Sequence, residues 1–196
     1  MDVVKTAGNQ TLPRGPGPAG PSRDMARKRL LERAKGLIGA TTDDGWDWRR
    51  GPLTALDVFP FAAEPHLREA MIADYQRDPA SYRKIGGGGN TPKAAYFLRR
   101  HANVRHCLHR LGLWHPRGGP VEPAAGMVVF FEWPEDRGRF NFKPDRSGII
   151  ESLENGAVAR AVMAVQDGKR WRVRLATLSE QARVAVVAYG DCPGLV

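Results

Sequence analysis

The sequence predicts an α+β fold, with helices first and an antiparallel sheet after them. Three observations carry this. Apolar residues recur at roughly helical spacing up to about Leu111, they change to short apolar runs from Gly126 onward, and Pro-Asp, Asn155-Gly156, Asp167-Gly168 and Ser179-Glu180 breaks separate those runs, as hairpin turns would. With 196 residues, 42% of them hydrophobic, the chain is long enough to bury one core.

Met1–Pro21 is rich in Pro and Gly and has no long hydrophobic run. It is expected to be a disordered leader over residues 1–21, followed by a single domain over residues 22–196. No signal-peptide core or membrane span is read there, so the expected location is cytoplasmic; a misassigned start codon would leave a periplasmic or exported protein open. Two Cys exclude a disulfide framework and fit a reducing compartment.

Ser22 is placed to cap a first helix whose apolar stripe is Met25, Leu30, Leu31, Ala34, Leu37 and Ile38 and which ends near Gly39. Thr41–Pro52, with Trp46 and Trp48, reads as a loop, and His66–Tyr75 as a second helix entered after Pro65. After the glycine run Gly86–Gly89, Asn90 suits an N-cap and Pro92 a first turn, so a third helix is expected over Pro92–Leu111. A glycine loop opening a helix can cradle phosphate, but this one lacks the Gly-Lys-Ser/Thr ending of a nucleotide site. A hinge is expected instead, and no cofactor. Strands are expected over Gly126–Trp133, Ser147–Leu153, Ala157–Val165, Arg170–Leu175 and Ala182–Ala188, in an antiparallel meander.

The formal net charge is +9, and its placement matters more than its size. Between Asp78 and Glu122 there is no acidic residue, while Arg83, Lys84, Lys93, Arg99, Arg100, Arg105, Arg110 and Arg117 all fall inside, with His101, His106, His109 and His115. A surface this one-sided attracts phosphate, teichoic acid or nucleic acid with strong salt dependence; a solvated helix face is the plainer alternative. Arg99, Arg100, Arg105, His106, His109 and Arg110 are the binding residues expected on this helix. His106 and His109 share a face at i, i+3, yet no acid joins them, so no metal site is expected. Cys107 sits beside His106, but helix neighbours point about 100° apart and do not form a dyad.

Several segments in order carry a resemblance. They are Ala34-Lys35-Gly36-Leu37-Ile38-Gly39-Ala40-Thr41, Arg50-Gly51-Pro52-Leu53-Thr54, His66–Tyr75, Thr91–His101 ending in Arg99-Arg100-His101, the strand from Gly126, and Arg146-Ser147-Gly148-Ile149. Together they resemble a bacterial family of unassigned function in the NlpC-type, papain-like superfamily of cell-wall cysteine peptidases and amidases. The resemblance implies a papain-like arrangement in which a helix N-terminus carries a Cys nucleophile and a neighbouring strand carries a His base. Here Leu53, or Ala55 in a shifted alignment, stands at the Cys position, Met127 at an Asp position and Arg146 at the His position. Arg146 cannot act as a base at neutral pH; it would hold a carboxylate, or pair with Asp145 or Glu151 as a strand-edge cation. Asp191-Cys192-Pro193-Gly194-Leu195 resembles the superfamily's nucleophile motif in a permuted order, which makes Cys192, with Cys107, an alternative thiol.

Three functions are therefore open. The first is a non-catalytic, degenerate relative that binds an anionic or peptidic partner. The second is an active peptidase or amidase with a noncanonical nucleophile, and the third a nucleic-acid-binding protein using the basic block of residues 83–117.

Overall fold

The computed structural model describes residues 21–41, 58–85, 89–94, 96–132, 146–167, 170–178 and 185–194. Residues 1–20 of the expected leader, Trp46, Trp48, Leu53, Ala55, Gly86 to Gly88 and Asp145 lie outside them. The described residues form helices α1 (Pro21–Lys35), α2 (Val58–Ala62), α3 (His66–Arg77), α4 (Pro79–Arg83) and α5 (His101–Arg110). Strands β1 (Trp114–Pro116), β2 (Val128–Glu132), β3 (Arg146–Glu154), β4 (Ala157–Asp167), β5 (Arg170–Thr177) and β6 (Ala185–Gly190) follow. The α+β order is the one expected.

Helix α1 already begins at Pro21, whose missing N–H and fixed φ suit a first turn, so Ser22 lies inside the helix and not before it, where the sequence placed it. Ala26, Leu30 and Ala34, spaced i, i+4, i+8, form its buried face. Met25 and Ile38, expected on the stripe, are 52% and 47% exposed. The chain then turns to Gly39 (φ 96). There the Gly39 N–H donates to the Val173 carbonyl and the Val173 N–H to the Ala40 carbonyl, which lays the helix exit along the edge of β5.

Helix α3 runs two residues past the expected Tyr75. Asp78 then caps α4, its Oδ1 accepting from the Ser81 N–H at 3.1 Å with Pro79 in the first turn. Helices α2 and α4 have five residues each, too few for an apolar period to reveal them. The third expected helix is corrected. Thr91 to Ala94 and Tyr96 to Arg99 form turns, Arg100 is extended (φ −75, ψ 111), and α5 starts only at His101. The cause is a side chain competing with helical hydrogen bonds: buried Asn103 donates Nδ2 to the carbonyls of Gly89 (2.9 Å) and Phe97 (3.0 Å). Phe97 is thereby seated against Tyr75 and Tyr82, with ring centroids 5.9 and 5.6 Å away.

All six strands pair antiparallel in the order β1-β6-β2-β3-β4-β5. The expected meander describes β2 to β5. β6 departs from it by returning past β2 to lie between β2 and β1, a three-residue strand with no sequence signal. Asn155-Gly156 forms the β3–β4 hairpin turn with φ of 51 and 77, the left-handed pair that a two-residue loop requires. Asp167 pairs with Arg170 across the β4–β5 turn.

Both faces of the sheet are covered. Val128, Phe130, Ile149, Val162, Ala164 and Val173 pack with the helices. Met127, Val129, Phe131, Ile150, Ala161 and Met163 form a second core with Leu178 and Tyr189. Every residue of β2 is buried, which is why Val-Val-Phe-Phe reads as one apolar run without alternation. Among the described residues no helix is long and apolar enough to cross a membrane.

Candidate functional site

Strands β2 and β3, which carry the last two segments of the resemblance, are neighbours, with Phe131 opposite Arg146 and Val129 opposite Gly148. Gly148 belongs to this packing, since a Cβ there would stand 3.1 Å from the Met163 Cβ. Met127 is fully buried in the second core. Arg146 opens β3, and its guanidinium carbon lies 5.0 Å from the centroid of the Trp171 ring, a cation–π distance. Of the two partners expected for Arg146, Asp145 lies outside the described residues, and Glu151 meets Arg160 at 2.9 Å and Lys35 at 3.9 Å. Next to Arg146, Ser147 is fully buried opposite Phe130, and its Oγ has no hydrogen-bond partner among the described residues.

The two thiols are poor nucleophiles. Cys107 is fully buried; burial, then the Asp74 charge, pushes its pKa up to about 12. Cys192 is half-buried in the turn after β6, and burial pushes it up to about 12 as well, against the opposing charge of Arg33. Its Sγ lies 3.5 Å from the Pro193 carbonyl. Two histidines come to this segment: His115 bonds Asp191 Oδ2 at 3.2 Å, and His66 lies against Gly194, where a Cβ would stand 3.7 Å from its Nδ1.

One cation of the basic helix, Arg110, is neutralised from outside its own segment. Arg110 Nε lies 3.0 and 3.1 Å from the two oxygens of fully buried Asp74, and its Nη1 lies 3.1 Å from Asp78 Oδ2. Tyr82 donates its hydroxyl to Asp74 Oδ2 at 3.0 Å. The Ser81 N–H holds the Asp78 carboxyl below its ordinary pKa against burial, and Arg110 adds to this; the hydrogen bond that Arg110 donates to Asp74 raises Arg110.

His106 points inward, its ring edge-on to Tyr82 at 4.7 Å and its Nε2 2.9 Å from Ser81 Oγ. Burial first, and the Arg110 charge next, hold it below the usual imidazole pKa. Ser81 and His106 look like a nucleophile and its base, but the Ser81 hydroxyl donates to the Asp78 carbonyl at 2.9 Å. Its proton belongs to the helix cap, so this network makes His106 Nε2 the donor to Ser81.

The expected binding residues differ in exposure. Arg105 and His109 are exposed, with the Arg105 guanidinium 5.5 Å from the Trp114 ring, whereas Arg99, Arg100, His106 and Arg110 are half-buried. His106 meets Tyr82 and Ser81 while His109 is exposed, and among the described residues no group of three or more His, Cys, Asp or Glu side chains suits a metal ion.

Sequence reading missed a polar centre on Asp191. Its Oδ1 accepts from Arg27 Nε at 2.8 Å and its Oδ2 from Arg27 Nη2 at 3.3 Å, alongside His115. Burial works to raise this carboxyl, but the Arg27 hydrogen bonds and charge, with His115, outweigh it and hold the pKa below the ordinary value. Arg27 and Asp191 are 164 residues apart in sequence, so no local signal announced the pair. No family model, curated protein or solved structure matches the chain.

Proposed function

We propose that the chain is a non-hydrolytic binding domain, a degenerate relative of the NlpC-type cell-wall hydrolases with a papain-like arrangement, which holds an anionic or peptidic partner instead of cleaving it. The observation that carries this reading is Arg146. The resemblance puts a general base there; the residue is a permanently charged guanidinium against the Trp171 ring, able to bind a carboxylate but not to accept a proton. The raised pKa values of Cys107 and Cys192 support it, since a thiol hydrolase needs thiolate.

The test has two arms. Purified protein is incubated with peptidoglycan fragments, with and without iodoacetamide, and released amino groups are counted. Cosedimentation with peptidoglycan and with teichoic acid is then followed from low to high salt for the wild type and Arg146→Ala. The expected result is no cleavage, and binding that weakens with salt and in the variant. Iodoacetamide-sensitive cleavage would overturn the proposal in favour of an active amidase.

A nucleic-acid reading draws its support away from the block expected to carry it. Arg170, Arg172 and Arg174 alternate along β5 and are exposed, on one face. A duplex oligonucleotide competing in the same salt series, against Arg172→Ala plus Arg174→Ala, separates the two readings.

A further inference from the structure

We propose that the cleft between the first three turns of α1 and the segment after β6 binds a small carboxylate carrying a compact apolar group, as at the free C-terminus of a peptide ending in a small residue. This site does not depend on the reading of Arg146.

The cleft encloses about 130 Å³. Ala26, Leu30 and Leu113 supply apolar walls, while Arg23, Arg27 and Asp191 supply the polar groups. A dry apolar cavity of about 150 Å³ accepts a benzene-sized guest, so the space suits a methyl, a branched aliphatic group or a small ring. Its shape is fixed by neighbours. Gly126 closes one side with φ 81, and a Cβ there would lie 2.2 Å from the Arg27 carbonyl, so α1 and the start of β2 meet backbone to backbone. The Arg27–Asp191–His115 network joins α1, β1 and the end of β6 at distances of 2.8 to 3.3 Å.

That network also separates the roles of the two arginines. Arg27 is taken up by Asp191, whose two oxygens are both engaged. Arg23, one turn earlier on the same wall, is exposed and has no ion pair among the described residues. An exposed arginine that lines a largely apolar cleft and has no ion pair among the described residues calls for an amphipathic ligand: an apolar group inside and a carboxylate accepting from the planar N–H fork. A cationic head group would face both guanidinium groups and is disfavoured.

The experiment titrates the full chain with N-acetylalanine and, as the neutral isostere, N-acetylalanine amide, by calorimetry or NMR. Wild type is expected to bind N-acetylalanine saturably at about millimolar concentration and the amide about tenfold more weakly. Arg23→Ala changes an exposed side chain and is expected to keep the thermal midpoint while losing about tenfold in carboxylate affinity. Arg146→Ala is expected to bind N-acetylalanine as wild type does, which keeps this result distinct from the peptidoglycan assay. Equal binding of acid and amide, unchanged affinity in Arg23→Ala, or no saturable binding by the wild type would each overturn the proposal.

Discussion

Asp191 shows most clearly how one side chain is set by its surroundings. Its carboxylate is 9% exposed and paired with Arg27, so Asp191→Asn would strand the Arg27 guanidinium and is expected to cost about 2–3 kcal/mol at pH 7. Because the folded carboxyl titrates below its unfolded value, its contribution is complete above the unfolded pKa of about 4 and is lost as pH falls through the folded pKa. Urea unfolding of both proteins from pH 7 to pH 3 should show the gap closing on the acid side. A gap that persists unchanged to pH 3 would mean the carboxylate is not paired in the fold.

The thiols give a second residue-scale prediction. A pKa near 12 leaves roughly a thousandfold less thiolate at pH 7.5 than an ordinary cysteine. Native protein should react with iodoacetamide at least about a hundredfold more slowly than urea-unfolded protein. Rapid native labelling of Cys192 would revive it as a nucleophile. That Cys107 and His106 form no dyad was legible from helix geometry, while the burial that makes Cys107 inert was shown by the fold. The geometry at Cys192 was not legible, because it depends on α1 arriving beside the end of β6.

Helix α5 shows why a charge count along a chain does not describe a surface. The acid-free interval is real, yet Asp74 and Asp78, just before it, fold back onto Arg110. Asp74→Ala removes a fully buried carboxylate that holds Arg110 and Tyr82 and is expected to cost about 3–4 kcal/mol. Arg77→Ala, whose side chain is 67% exposed at 3.8 Å from the same carboxylate, should stay within about 0.5 kcal/mol. Equal effects in thermal unfolding would contradict this division.

A second contrast concerns how α1 is seated. Gly126 and Gly112 both have positive φ, but a Cβ at Gly112 meets nothing within 4 Å, whereas one at Gly126 strikes the Arg27 backbone. Gly112→Ala is expected to cost about 1 kcal/mol for conformation alone. Gly126→Ala should cost several times that, because α1 would have to move off the sheet.

At the scale of the molecule, one apolar cluster links α1, α2, α3, α5 and strands β2 to β5. Such continuity predicts one cooperative unfolding transition. Alkylation of Cys107 and Cys192, resolved by mass spectrometry across a urea series, should give coincident midpoints. Separate midpoints would divide the chain into two units.

The sequence by itself determined the α+β order, α3, the strands β2 to β5 and the Asn155-Gly156 turn. Each follows from a period of 2 or 3.6 residues or from a turn residue, and these act over a few neighbours. Only the tertiary structure decided that β6 returns to the far side of β2, that Asn103 stops the third helix from running through Thr91 to Arg99, and that Arg110 is neutralised. The same holds for the joining of Arg27, His115 and Asp191 around a cleft. Those features depend on which surfaces meet once the sheet closes, and the burial that holds them together carries no direction along the chain.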